Sequence, residues 1–159
     1  MNALVIYDTT FGDTQQIAQV IAHVLGQQGF VRLSPVEEAS TSELEGIHVL
    51  ILGCPTQSYG LTPGTRNFFE SIPDGTLQGL MAAAFDTRYH IAESLSGSAA
   101  WAIADQLQGV GASLLVPPES FFVVSREGPL EDGEIERAAR WAHTLLERFA
   151  AGRYVGDGV

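Results

Sequence analysis

The sequence has a single cysteine, Cys54, so it cannot form an internal disulfide and fits a reducing compartment. Basic residues are scarce. Eight Lys and Arg stand against nineteen Asp and Glu, for a net charge of −11, which argues against non-specific nucleic-acid binding. No apolar run approaches the roughly 18 residues of a membrane helix. No basic leader precedes the first apolar stretch, so no signal peptide is read and a cytoplasmic location is expected. Missing motifs exclude further classes. There is no Walker Gly-Lys-Ser/Thr, and Gly109-Val-Gly111 follows a helical pattern, so it is no dinucleotide fingerprint. A low-molecular-weight phosphatase needs Cys-x5-Arg, but Gly60 stands at the arginine position. A receiver domain needs an Asp ending the third strand, where Gly53-Cys54 stand instead. His23, His48, His90 and His143 have no metal-ligand spacing, and no internal repeat is found.

What is present is a regular alternation of strand and helix patterns. With 159 residues, 45% of them hydrophobic, the chain suits one domain, expected over 1–151, with 152–159 as a C-terminal tail. Strands are read at Leu4–Tyr7, Phe30–Leu33, Ile47–Leu52, Leu80–Phe85 and, broken by Pro117-Pro118, from Ser113 to Val124. Helices are read at Asp13–Gly26, Arg66–Ile72, Ser98–Gln108 and Leu130–Phe149, with the acidic run Glu131–Glu136 as a solvated helix start. Loops are expected over 53–64 and 86–97. Such alternation predicts a parallel sheet covered by helices on both faces.

The stretch that organises the chain is Val5-Ile-Tyr-Asp-Thr-Thr-Phe-Gly-Asp-Thr14, a buried strand, a hydroxyl-rich turn and a helix start. The helix carries Ile17, Val20, Ile21, Val24 and Leu25 on one stripe. A turn of this kind aims free backbone N–H groups and the positive end of the helix dipole at one point, and Thr9, Thr10 and Thr14 add hydroxyls. That is a phosphate site containing no Lys or Arg. Val5, Ile6, Tyr7, Thr9, Gly12, Thr14, Ala18 and Ile21 fall on the spacing of the flavodoxin signature, and the chain resembles the flavodoxin family. The resemblance implies a flavodoxin-like α/β three-layer sandwich, with a five-stranded parallel sheet in the order 2-1-3-4-5 and FMN at the carboxyl ends of the strands. It extends to Gly53-Cys-Pro-Thr-Gln-Ser-Tyr-Gly60, similar to the family loop against one face of the flavin ring. Ala84-Phe-Asp-Thr-Arg-Tyr-His90 is similar to the loop on the other face.

The expected FMN contacts are therefore Thr9, Thr10, Phe11, Gly12, Asp13 and Thr14 at the phosphate. Along the ring they are Pro55, Thr56, Gln57, Ser58, Tyr59 and Gly60, then Phe85, Asp86, Thr87, Arg88 and Tyr89. Tyr59 and Tyr89 are the candidate ring-stackers, and each reads equally well as a partly buried structural tyrosine. Gly60 offers a peptide able to turn toward the protonated ring N5. Phe11 stands where many members of the family have Thr, and an aromatic there also resembles the flavodoxin modules of flavodiiron proteins. Asp13 replaces a frequent Asn and is expected to point away from the phosphate. Arg88 has three readings: the flavin edge, the phosphate or a surface salt bridge. No catalytic residue and no metal ligand are assigned.

The function implied is FMN-dependent electron transfer, one or two electrons at a time, between redox partner proteins with a basic docking face. No nucleic acid or membrane is expected as a partner. Two alternatives share the fold: an FMN-dependent NAD(P)H:quinone or flavin reductase, and a regulatory or interaction protein without flavin.

Overall fold

Strand β1, Asn2–Tyr7, lies inside a parallel sheet, and only its first residue is exposed. The computed structural model describes residues 1–152; the rest of the expected tail lies outside the described residues. The elements that follow are α1 (Asp13–Leu25), β2 (Phe30–Pro35), β3 (Val49–Pro55), α2 (Pro63–Ser71), β4 (Met81–Tyr89), the single turn α3 (Glu93–Ser96), α4 (Ala99–Gly109), β5 (Ser113–Leu114), β6 (Glu119–Val123) and α5 (Glu134–Ala151). Two short 3-10 turns, Val36–Glu38 and Thr41–Leu44, fill the acidic stretch after β2.

The sheet order is β2-β1-β3-β4-β5, and β6 also pairs with β4. The fifth position is thus shared by two segments on either side of Pro117-Pro118, since proline cannot donate to the ladder. Alternate residues along each strand face opposite layers. Ala3, Val5, Tyr7, Ile51 and Phe85 meet α1 and α5, whereas Leu4, Ile6, Leu52 and Ala84 meet α4 and the α2 side. In the first layer Phe85, Phe121 and Trp141 pack edge-to-face at 5.9–6.1 Å, each pair adding about 0.5–1.5 kcal/mol beyond burial. Gly53 makes room for this cluster, because a Cβ there would sit 2.2 Å from the Phe85 ring.

Three expectations are corrected. Strand β3 continues through Gly53-Cys54-Pro55, and β4 continues through Asp86-Thr87-Arg88-Tyr89, both expected as loop. The extension of β4 exists because β6 supplies ladder partners from Glu119 to Val123 for Phe85–Tyr89. The last helix begins at Glu134, after Leu130 bridges back to Val123 and Gly133 turns with φ of 87°. Glu134, expected in solvent, is buried. Among the described residues no helix is long and apolar enough to cross a membrane.

Candidate functional site

The chain reverses direction across the sheet between β1 and β3, and the loops at their carboxyl ends open a crevice there. In the β1–α1 turn, Asp8 donates its amide to Gly53 O at 3.0 Å, and Asp8 Oδ1 accepts the Thr9 amide at 2.9 Å. Thr9 Oγ1 accepts the Gly12 amide at 2.9 Å. Gly12 caps α1 with φ of 94°, a conformation that costs glycine nothing. The amides of Thr10, Phe11, Asp13, Thr14 and Gln15 find no acceptor among the described residues. Thr14 and Thr87 share a buried hydroxyl hydrogen bond of 2.7 Å, which ties the start of α1 to β4.

The second loop is a two-residue hairpin turn. Gln57 and Gly60 exchange backbone hydrogen bonds of 3.0 and 2.9 Å around Ser58 and Tyr59. Both central residues have positive φ, 46° and 70°, which costs non-glycine residues roughly 1–2 kcal/mol each. The strained backbone is therefore at Ser58 and Tyr59, with Gly60 beside it. Gln57 Nε2 reaches across to Thr10 Oγ1 at 3.0 Å. Tyr59 is 69% exposed and bridges to Gly97, where a Cβ would lie 2.3 Å from Tyr59 O.

The polar end of β4 is buried and consumed by specific partners. Asp86 Oδ2 accepts from Ser98 Oγ (2.6 Å), the Ala100 amide (3.0 Å) and Thr56 Oγ1 (3.1 Å), while Oδ1 has no partner among the described residues. Burial raises the Asp86 carboxyl above the ordinary range, even against these donors. Arg88 Nε donates to Ser120 Oγ at 2.9 Å, and its Nη1 to Ile91 O and Ser96 Oγ at 2.8 and 3.1 Å. Its Nη2 lies 3.7 Å from Glu93. This arginine thus secures the 90–97 loop to the sheet. The Cys54 thiol is fully buried and pushed up to about 11 by burial, which makes it an inert packing group.

Together these loops enclose a cleft of about 410 Å³. Of the residues anticipated from sequence, Thr9, Thr10, Phe11, Asp13, Thr14, Pro55, Thr56, Ser58, Tyr59, Thr87, Arg88 and Tyr89 line it. Gly12, Gln57, Gly60, Phe85 and Asp86 do not; Phe85 belongs to the aromatic core and Asp86 lies beneath the wall. Ile91, Leu95, Ser96, Val123 and Arg126 line it without having been anticipated. Their signal was the pair of exposed aliphatics in an otherwise polar 90–97 loop, and a lone Arg in the turn after β6. Asp13 sits on the cleft wall with its carboxyl raised by burial; a Cβ on Gly128 would fall 2.5 Å from its Oδ1.

Residues 5–141 match the family model described as Flavodoxin. The chain belongs to the flavodoxin family. A flavodoxin of Synechococcus elongatus is 32% identical over 80 residues, covering 50% of this chain and 47% of that protein. The chain spans about half the length of the curated relatives it matches. The structure of flavodoxin 2 from Bacillus cereus superposes with a TM-score of 0.79 at 24% identity, covering 94% of this chain and all of that one. Rubredoxin oxygen:oxidoreductase from Desulfovibrio gigas gives 0.76 at 21% identity, over 94% of this chain and 36% of its own. Flavodoxin-family proteins bind FMN, and this cleft has what that ligand needs: unpaired amides at one end and apolar walls along the rest.

Proposed function

We propose that this flavodoxin-family chain binds FMN in the cleft and carries one or two electrons between redox partner proteins. The observation behind this is the group of five acceptorless amides around the 9–14 turn, at one end of a cleft walled by Phe11, Tyr59, Tyr89, Ile91 and Leu95. A phosphate dianion is held by converging N–H donors, and a flat ring by apolar faces. FMN supplies the electron-accepting chemistry when bound. The residues of this chain bind and shape. The amides of Thr10, Phe11, Asp13, Thr14 and Gln15 take the phosphate; Pro55, Thr56, Ser58 and Thr87 border the ring; Tyr59 and Tyr89 cover it. Gly12, Gln57, Gly60, Phe85 and Asp86 act through these neighbours. The net charge of −11 disfavours a reduced, anionic flavin and favours a partner with a basic face.

An absorption spectrum during FMN titration, followed by stepwise reduction, tests the proposal. The expected result is a stoichiometric yellow complex reduced in two separate one-electron steps. Protein that stays colourless and binds no FMN rules it out. Rapid bleaching by NADPH alone would instead identify a reductase.

A further inference from the structure

The phosphate end of the cleft contains no lysine or arginine in its own turn, yet it contains a carboxylate, Asp13. Two arginines line the cleft, Arg88 and Arg126. Arg88 is committed: Nε and Nη1 are hydrogen-bonded within the fold and Nη2 faces Glu93. Arg126 is different. It is exposed, and its guanidinium has no hydrogen bond or ion pair among the described residues. Its nearest aromatic neighbour is Phe11. The guanidinium carbon lies 6.0 Å from the centre of the Phe11 ring, which places it over the 9–14 turn.

The turn that carries it is held in place. Val124 donates to Pro129 O at 2.9 Å, Gly128 donates to Ser125 O at 3.0 Å, and Val123 bridges to Leu130. Gly128, with φ of 98°, abuts the Asp13 carboxylate at the first turn of α1, where a Cβ would fall 2.5 Å from Oδ1. A fourth loop is therefore docked beside the amides of the 9–14 turn, and it brings a cation with no partner among the described residues.

Resting on FMN as the ligand, we propose that Arg126 is the phosphate-pairing cation of this site. Its guanidinium turns from the Phe11 ring onto the phosphate seated at the 9–14 turn, so the cleft distinguishes phosphorylated flavin from riboflavin. The planar fork of arginine matches two phosphate oxygens. Its charge also offsets the repulsion between the phosphate and Asp13.

The test is titration of the protein with FMN and with riboflavin, at low and high salt, for the wild type, Arg126→Gln and Arg126→Lys. Arg126→Gln is expected to weaken FMN binding about tenfold, or about 1.4 kcal/mol, and to change riboflavin binding by less than about twofold. Arg126→Lys should fall between, keeping the charge without the fork. The salt dependence of FMN binding should flatten in Arg126→Gln. Unchanged FMN affinity in Arg126→Gln, or an equal loss for both ligands, overturns the assignment while leaving FMN binding itself intact. Wild-type protein that binds neither flavin would remove the ligand, and this role with it.

Discussion

Asp13 places a carboxylate in the first turn of α1, where the dipole favours negative charge, and also in a cleft that would hold a phosphate. Burial raises its carboxyl, so it holds its proton more tightly in the fold than in the unfolded chain. Its stability contribution is therefore greatest below the unfolded value and declines as pH rises through the folded one. Because the carboxylate rests against Gly128, the repulsion it exerts on a bound phosphate is expected to be modest. Asp13→Asn should tighten FMN by less than about tenfold at pH 7. A fluorescence titration showing a larger gain would mean that the carboxylate faces the phosphate directly. Ser58 and Tyr59 belong to the same scale. Their positive φ angles were invisible in sequence because neither residue is Gly or Asn, the types that mark such turns.

At the scale of elements, the junction between β6 and α5 depends on one buried charge. Glu134 accepts the Phe122 amide at 2.7 Å and pairs with Arg137, which also reaches Glu119 and the Ser120 carbonyl. Burial alone would raise the Glu134 carboxyl, but the donors from Arg137 and Phe122 outweigh it and the pKa is lowered. The sign is that of a stabilising acid: the contribution is present above the ordinary glutamate range and is lost as pH falls through the lowered value. Glu134→Gln should cost about 2 kcal/mol in urea unfolding at pH 7, and the gap should close in acid. A gap of the same size at pH 3 would show that the charge is not what holds the junction. The same junction marks where the sequence was hard to read. β1, α1 and the first half of β3 are legible because their apolar periods are clean and local. Asp86-Thr87-Arg88 looks like a loop, and Glu134 like a solvated helix start, because their burial depends on Ser98, Ser120 and the Phe122 amide, which are distant along the chain. The strand-to-helix turn over residues 8–13 was legible because its residues are contiguous. Arg126 was not, because only the fold carries its turn to α1.

The whole molecule is two apolar layers on one sheet, with the cleft at the carboxyl end. A ligand seated there touches loops from four places in the chain, so its binding energy adds to global stability. A thousandfold excess of FMN over its dissociation constant should raise unfolding free energy by about 4 kcal/mol. Thermal melts with and without FMN measure this, and identical melting temperatures would contradict it. Riboflavin should give a smaller rise at the same concentration.

The end of β4 has a bearing on how this chain can vary. Position 86 reaches the 50s loop and the start of α4, position 87 the start of α1, and position 88 both the 90s loop and β6. Three successive residues thus serve as a shared hub for otherwise separate parts. A lineage that altered one of them would have to re-fit Thr14, Thr56, Ser98 or Ser120 in step, so these sites should drift as a set while the exposed turn residues between them diverge singly.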